Sequence, residues 1–151
     1  MDATNEKITA TLIHLSTLTQ YIIPFGGFIF PILIWSSKKH ESEFIDNNGK
    51  QTLNFQLSII LYTITLCLIA IPIFIYSFYK NIPFENLNTS HHFIAENFSI
   101  GNITGLIMLG IVAGLLFCFL KIVEFILIIY ASVKTSNGEQ FKYPLSIPFF
   151  K

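Results

Sequence analysis

The sequence predicts an all-α integral membrane protein, a single helical bundle with three membrane segments. Composition points to this class, because hydrophobic residues make up 52% of the 151 residues and charged residues only 12%. An ordinary soluble domain carries about 25% charged residues. Three apolar runs, 8–35, 53–79 and 103–133, each exceed the roughly 20 residues that a membrane-crossing helix requires. We therefore expect one membrane domain, with the lipid bilayer as its main surroundings.

The first segment contains its own interruption. Pro24 and Pro31 flank Gly26 and Gly27, and these residue types predict a kink or a break between Pro24 and Gly27. We expect the segment to cross the membrane in spite of the break. The alternative is a re-entrant hairpin that turns there.

The distribution of lysines predicts the orientation. The loop 36–52 and the tail 134–151 together hold six lysines, whereas the N-terminus and the loop 80–102 hold two. Basic residues concentrate in cytoplasmic loops, so the loop 36–52 and the tail are predicted to be cytoplasmic and the loop 80–102 external. The protein is thus predicted to be a multi-pass protein of the cell (inner) membrane. Three crossings place its N-terminus outside, whereas a hairpin places it in the cytoplasm.

The second segment carries a polar stripe. Asn54, Ser58, Tyr62 and Thr65 fall on one helical face, and this face is predicted to contact protein, because lipid offers it no hydrogen-bond partner. Gln56 lies about 200° away from Asn54 around the helix. Both amides can therefore be satisfied only inside a bundle or a complex.

The third segment gathers small residues and charges on one face. Gly110, Gly114, Lys121 and Glu124 fall within an arc of about 120°. The two glycines form a small-xxx-small pattern, which lets another helix approach closely. This face is therefore predicted to pack against protein rather than lipid.

Three ionisable residues in the apolar runs have two interpretations each. Lys121 and Glu124 are three residues apart and can pair on a helix. They are either an ion or proton site or a structural pair, and we favour the structural pair. His14 is either a proton carrier or ligand or a hydrogen-bonding residue that contacts a neighbouring helix, and we favour the hydrogen-bonding role.

The sequence predicts no catalytic, cofactor or metal site. It contains no Ser/His/Asp arrangement, phosphate-binding glycine loop, zinc-ligand spacing or cysteine nucleophile motif. His91, His92 and Glu96 come nearest to a metal site, but adjacent histidines point in different directions on a helix and no third ligand is obvious. The protein is therefore predicted not to be an enzyme. Its net charge of zero gives no indication of a nucleic-acid partner.

Three stretches resemble a widespread family of small bacterial membrane proteins of unknown function. They read "HLSTLTQYIIPFGGFIFPILIWSSKK", "FIDNNGKQTLNFQLS" and "NGEQFKYPLSIPF". That family is similar to the Tic-twenty-like group, the channel-forming subunit of the chloroplast inner-envelope import machinery. The residues that carry the resemblance include His14, Pro24, Gly27, Pro31, Trp35, Lys50, Asn54, Gln56, Gly138 and Tyr143. The resemblance implies an all-helical membrane protein that assists protein translocation or insertion beside a larger channel.

Two functions are compatible with these features. The first is a non-enzymatic accessory or partner subunit of a larger membrane complex, for which the small-residue face of the third segment would bind other membrane protein subunits. The alternative is a small transporter or ion-conducting oligomer. It would need a polar path through the membrane, and the candidates for that path are His14, Asn54, Tyr62, Lys121 and Glu124.

Overall fold

The computed structural model describes residues 2–81 and 100–150. Within these residues the chain is helical and contains no strand, so the all-α class predicted from the sequence is confirmed for them. The helical elements are α1 (Ala3–Ser16), a 3₁₀ helix (Thr17–Tyr21), α2 (Gly26–Lys38), α3 (Glu43–Asn81) and α4 (Ile100–Ser136). An irregular tail follows α4. Nearly all of the loop predicted at 80–102 lies outside the described residues.

The chain divides into two compact units. Unit 1 comprises Met1–Tyr62 and Lys121–Lys151, and unit 2 comprises Thr63–Leu120. Helices α3 and α4 each contribute to both units. Every buried residue of the candidate sites described below belongs to unit 1.

Two helices are long and apolar enough to cross a membrane. They are Glu43–Ser77 and Ile107–Ser136, with mean hydropathies of 2.5 and 2.6. The prediction of three membrane segments is therefore wrong in number, because the segment 8–35 does not form a helix of membrane length. The other two predicted segments correspond to α3 and α4.

The break predicted between Pro24 and Gly27 is confirmed. The 3₁₀ helix ends at Tyr21, and Phe25 adopts the left-handed backbone region with φ 62° before α2 begins. A proline and a left-handed residue cannot continue a right-handed helix. Gly27 then lets α2 pack closely against the preceding helix, since an added Cβ would lie 2.7 Å from the carbonyl oxygen of Thr17.

The first segment therefore folds back on itself as a helical hairpin. At its start, Lys7 Nζ lies 3.5 Å from the carbonyl oxygen of Asn137, just beyond the end of α4. At its tip, the Tyr21 hydroxyl lies 3.4 Å from the carbonyl oxygen of Lys121. This places the tip roughly 22 Å back along α4, at 1.5 Å per residue.

The second arm of the hairpin returns to the end from which the first arm started. Trp35, near the end of α2, donates from Nε1 to Asp46 Oδ1 at 2.9 Å, in the first turns of α3. The Trp35 ring also lies against Gly49, where an added Cβ would overlap it. The first segment thus forms the hairpin that was given as its alternative. The full membrane crossing that was expected for it is wrong.

Helix α3 begins well before the predicted apolar segment. Residues 43–52 were assigned to a polar loop, but they form the first turns of α3. Lys50 and Asp46 form an ion pair of 2.7 Å at i,i+4 spacing, which supports a helix. These turns look like a loop in the sequence because their polar side chains satisfy each other and the hairpin rather than solvent alone.

The core of unit 1 lies between the hairpin, α3, α4 and the tail. Phe55 stacks on Tyr143 with ring centroids 4.1 Å apart and planes within 8°. The buried apolar residues are Ala10, Ile13, Ile45, Leu53, Phe55, Ile59, Ile128, Ala131 and Tyr143. Aromatic and aliphatic burial of this kind is the main stabilising contribution to such a core.

The parts of α3 and α4 in unit 2 expose large apolar side chains. Leu68 is 68% exposed, Leu115 65% and Phe119 67%. A continuous exposed apolar surface on helices of this length is typical of contact with lipid.

Candidate functional site

A buried polar network centred on His14 is the main candidate site. The side chain of His14 is fully buried. Its Nδ1 lies 2.9 Å from the hydroxyl of Tyr143 and 2.8 Å from Oγ1 of Thr52. Its Nε2 lies 3.1 Å from Oδ1 of Asn48. Helix α1, helix α3 and the tail thus meet at one imidazole ring.

The partners of Asn48 determine the tautomer of His14. Asn48 donates from Nδ2 to the carbonyl oxygen of Phe44 at 2.8 Å, so its Oδ1 is the acceptor atom that faces His14. Thr135 also donates to this Oδ1, at 3.2 Å. The proton of the neutral imidazole must therefore be on Nε2, and Nδ1 must accept a hydrogen bond.

The donor to Nδ1 follows from the same reasoning. Thr52 donates its hydroxyl proton to the carbonyl oxygen of Asn48 at 2.8 Å. The proton that His14 Nδ1 accepts is then supplied by the hydroxyl of Tyr143. Every polar atom of the ring has a defined partner and direction.

Burial fixes the protonation of this network. It lowers the pKa of His14 from 6.5 to about 4, although the hydrogen bond to Asn48 acts in the opposite direction. Burial also raises the pKa of Tyr143, with the negative charge of Glu124 adding to the effect. His14 is therefore neutral and Tyr143 protonated near neutral pH.

The ion pair predicted between Lys121 and Glu124 is present. Lys121 Nζ lies 2.8 Å from Glu124 Oε2, and the glutamate side chain is completely buried whereas the lysine is 29% exposed. Gln20, near the tip of the hairpin, donates from Nε2 to Glu124 Oε1 at 2.8 Å. Both carboxylate oxygens are thus engaged. The favoured interpretation, a structural pair rather than an ion or proton site, stays a prediction.

The polar stripe of α3 binds the tail. Asn54 donates from Nδ2 to the carbonyl oxygen of Phe150 at 2.9 Å. Its Oδ1 accepts from the backbone nitrogens of Phe149 and Phe150, at 3.1 and 2.8 Å. Asn54 therefore satisfies its amide within the chain, as a residue on a protein-facing stripe should.

The same stripe continues along α3. Ser58 Oγ accepts from the backbone nitrogen of Ile147 at 2.8 Å, and the Tyr62 hydroxyl donates to the carbonyl oxygen of Leu145 at 3.0 Å. The tail thus follows the stripe for about two helical turns. The prediction that this face contacts protein is confirmed for these positions.

Gln56 differs from Asn54. It is 3% exposed, and within residues 2–81 and 100–150 its Nε2 has no hydrogen-bond partner. The expectation that a bundle satisfies both amides is therefore met inside the described chain for Asn54 and not for Gln56.

Gly110 and Gly114 lie in unit 2 and are exposed. A Cβ added to either glycine would meet no atom within 4 Å in the part of the chain that the structure describes, the backbone of its own helix aside. The close helix packing predicted for this face is thus not formed within those residues. It stays a prediction about another subunit.

Asn48, Thr52, Thr135, Tyr143 and Gln20 are site residues that sequence analysis missed. Asn48 and Thr52 were placed in a loop, where their i,i+4 spacing carries no meaning. A helix beginning at Glu43 would have put both on the face that meets His14. Tyr143 and Gln20 reach their partners only through tertiary contacts, for which the sequence holds no local signal.

No three His, Cys, Asp or Glu side chains converge on a possible metal position among the described residues. His91, His92 and Glu96, which were considered as metal ligands, lie outside the residues that the structure describes.

Comparison with known protein families gives a match over almost the whole chain. The sequence model of the magnetosome magnetite crystal formation protein family matches residues 5–150. The chain belongs to this family. The matched residues include the hairpin, α3, α4 and the docked tail. With its two apolar helices, this member of the family is a membrane protein. No curated protein and no solved structure matches it significantly.

The resemblance to the Tic-twenty-like group is overturned by this family match. A role in protein translocation rested on that resemblance alone and falls with it. Three of the residues that carried the resemblance make packing or hydrogen-bond contacts within the chain. Gly27 permits close packing, Trp35 covers Gly49, and Asn54 binds the tail. Such residues indicate an architecture and carry no information about protein import.

Proposed function

We propose that this chain is a non-enzymatic membrane subunit that takes part in magnetite crystal formation together with other membrane proteins. The observation that carries the proposal is the family match over residues 5–150. The two apolar helices support membrane insertion, and the exposed apolar surface of unit 2 supports contact with lipid or with neighbouring membrane proteins.

The proposed orientation places both termini in the cytoplasm. With the hairpin turning back and two helices crossing, the N-terminus, the segment before α3 and the tail are on one side of the membrane. That side then holds seven of the nine lysines, Lys7 in addition to the six already counted, whereas the loop 80–102 holds only Lys80. The bias toward one side is stronger than three crossings would give.

The hydrogen bonds and the ion pair of the polar residues favour an accessory role over transport. The five candidates for a polar path bond to other parts of unit 1: His14 to Tyr143, Asn54 and Tyr62 to the tail, and Lys121 to Glu124. Side chains used in this way stabilise a fold, and a conduction path would require groups that exchange partners with a passing ion.

Complementation tests the proposal. In a magnetite-forming bacterium deprived of its own family member, we expect the chain to restore the size and number of crystals seen by electron microscopy. The double variant Gly110→Leu/Gly114→Leu should reach the membrane at normal levels without restoring them, because neighbouring subunits could no longer approach closely. Ile111→Leu, on another face of α4, is the matched control. Normal membrane levels of the wild-type chain with unrestored crystals would refute the proposal.

A further inference from the structure

The tip of the hairpin contacts α4 at the middle of its apolar length. The apolar helix runs from Ile107 to Ser136, and Lys121 lies at its centre. The Tyr21 hydroxyl is 3.4 Å from the carbonyl oxygen of Lys121, and the Tyr21 ring packs edge-on against Phe125 with ring centroids 6.1 Å apart. These contacts of Tyr21 fix the tip at the level where α4 is half-way through its apolar length.

A hairpin of this depth enters one leaflet of a bilayer. The middle of a membrane-crossing helix lies near the midplane, and each half of the hydrocarbon core is about 15 Å thick. The hairpin starts beside the end of α4, where Lys7 reaches Asn137, and it returns to the start of α3, where Trp35 bonds to Asp46. Its two arms therefore both lie on the side of the termini, and its turn lies near the midplane.

The turn at the tip is suited to a hydrocarbon environment. Ile22 is 84% exposed and Phe25 is 79% exposed, and both side chains are apolar. The backbone nitrogens of Ile22 and Ile23 donate to the carbonyl oxygen of Thr19, at 3.0 and 2.8 Å. The backbone nitrogen of Gly26 donates within the turn at 2.9 Å. Backbone groups in lipid must be satisfied internally, so these bonds allow the turn to lie in the apolar interior.

Both arms of the hairpin present apolar side chains on their outer faces. Leu12 on α1 is 50% exposed and Leu33 on α2 is 60% exposed, which is typical of a surface in contact with acyl chains. A helix with its side chains is about 10 Å wide, so two arms side by side occupy roughly 160 Å² of the leaflet that they enter. Lipid is displaced from that leaflet over this area.

The opposite leaflet receives no such addition from the hairpin. The hairpin belongs to unit 1, and the described residues of unit 2, 63–81 and 100–120, all belong to α3 and α4. Helices that cross the whole membrane add similar areas to both leaflets, whereas the hairpin adds area to one. This difference in area is relieved when the leaflet that holds the hairpin lies on the outer, convex side of a curved membrane, because that side has the larger area.

We propose that the hairpin makes this protein prefer curved membranes in which the leaflet on the side of both termini is convex. The partner is thus a lipid surface of defined curvature, and the feature that recognises it is an apolar hairpin that ends at the midplane. Helices inserted into one leaflet bind membranes in a curvature-sensitive manner. The preference depends on the same-side placement of the termini proposed above and not on the role in magnetite formation.

Narrow membrane tubes pulled outward from giant vesicles test this preference with the full chain. In the variant Cys67→Ala/Cys118→Ala/Asp2→Cys, a membrane-impermeant fluorescent maleimide added from outside marks only molecules whose termini are outside and whose hairpin is therefore in the outer leaflet. Relative to a fluorescent lipid, these molecules should be enriched about twofold in the tube over the flat vesicle wall, and more as the tube narrows. Equal density in the tube and the wall, or depletion from the tube, would overturn the proposal.

Trimming of exposed side chains provides the matched comparison. Leu12→Ala/Leu33→Ala reduces the area of the hairpin and should lower the enrichment in the tube. Leu68→Ala/Leu115→Ala removes leucines of similar exposure, 68% and 65%, from unit 2 and should not lower it. Enrichment that is lowered equally by both pairs, or by neither pair, would contradict the role of the hairpin.

A nitroxide at the tip measures the depth of the hairpin independently of curvature. In the Cys67→Ala/Cys118→Ala background, a spin label on Phe25→Cys should be relaxed by oxygen, which concentrates in the hydrocarbon, and not by a water-soluble nickel chelate. Relaxation by the chelate would place the tip in water and overturn the proposal. The role in magnetite formation, which complementation tests, would be unaffected by that result.

Discussion

At the scale of single residues, the neutral state of His14 follows from its burial and from the carbonyl-type acceptor that Asn48 presents to Nε2. Protonation of the ring would put a proton on Nδ1, which now accepts the hydrogen bond from Tyr143. The hydrogen bond from Tyr143 would then be lost, and the positive charge of the ring would lie in a site where, among the described residues, no carboxylate forms a hydrogen bond with it. Stability must therefore depend on pH.

The sign of this dependence follows from the two pKa values of His14. The pKa is about 4 in the folded chain and 6.5 in the unfolded chain, so the unfolded state binds more protons between these values. Stability is full above pH 6.5 and falls as the pH decreases towards 4. At pH 5 the loss should be about 2 kcal/mol, since each unit of pKa difference that is traversed corresponds to about 1.36 kcal/mol.

Denaturant unfolding in detergent at about pH 7 and pH 5 measures this loss. His14→Gln should be less stable than the wild type at neutral pH and should show a smaller fall in stability on acidification. His40→Gln, at an exposed histidine, is the control and should retain the full pH dependence. A wild type whose stability is equal at the two pH values would contradict the burial argument.

The Lys121–Glu124 pair gives a second prediction. Removing one partner of a buried pair costs about 3–5 kcal/mol, and the cost here should be smaller because Lys121 is 29% exposed. Lys121→Met, which leaves the buried carboxylate with the Gln20 amide as its hydrogen-bond donor among the described residues, should be the most damaging change. Lys121→Met/Glu124→Leu should recover much of the loss, and adding Gln20→Met should recover more, because the double variant leaves the Gln20 amide without its acceptor.

Protein abundance and thermal unfolding separate the two interpretations of this pair. A structural pair predicts low abundance for Lys121→Met and recovery in the combined variants. An ion or proton site predicts normal abundance for all of them, with loss of the biological effect. Combined variants that fold normally but are inactive would identify these charges as part of the functional machinery.

At the scale of elements, the polar stripe of α3 was predicted from the sequence, whereas the docking of the tail on it was not. The stripe Asn54, Ser58 and Tyr62 was predicted from helical periodicity to face protein. The structure supplies the occupant of that face, since the backbone of the tail takes up the hydrogen bonds. A peptide backbone suits a polar stripe because it offers donors and acceptors in alternation.

Asn54→Leu should therefore release the tail. Asn54 makes three hydrogen bonds to the tail backbone, and each contributes about 1 kcal/mol. Trypsin cleavage after Lys142, followed by mass spectrometry, should be faster in the variant than in the wild type. Ser77→Leu changes a polar residue of the same helix that belongs to unit 2, and it should leave the cleavage rate unchanged.

The hairpin was predicted only in part from the sequence. Apolar length at 8–35 predicted a membrane segment, and the Pro/Gly pattern predicted a break within it. The break was confirmed, but the direction after it was not readable from the pattern. That direction depends on the fit of Gly27 against Thr17 and of Trp35 against Gly49. These contacts join residues on different helical elements, which the pattern within one segment does not relate to each other.

At the scale of the whole molecule, the hairpin predicts that both termini lie on the same side of the membrane. In a variant with Cys67 and Cys118 replaced by alanine, single cysteines at Asp2 and Ser146 should react with a membrane-impermeant maleimide from the cytoplasmic side only. A cysteine at Ile22, which is 84% exposed at the hairpin tip, should react from neither side, because lipid surrounds it. Labelling of Asp2→Cys from outside intact cells would exclude the hairpin topology.

Association through α4 is the second prediction at this scale. Gly110 and Gly114 have open space around them in the described chain, so leucine at these positions should not damage the fold of the protein itself. Gly110→Leu/Gly114→Leu should instead reduce cross-linking to neighbouring subunits in membranes, because close backbone approach is lost. Ile111→Leu should cross-link like the wild type, and equal cross-linking in all three proteins would mean that the packing face is assigned wrongly.

The sequence by itself determined the helical class, the apolar lengths of α3 and α4, the break between Pro24 and Gly27, the polar stripe of α3 and the pairing of Lys121 with Glu124. Each of these depends on residue type or on the spacing along one helix, and such local physics is visible in the order of residues. The return of the first segment, the early start of α3 and the surroundings of His14 were decided only by the tertiary structure. They depend on contacts such as Gly49 with Trp35 and His14 with Tyr143, whose partners are far apart in the chain and become neighbours only when the hairpin, the two long helices and the tail are packed together.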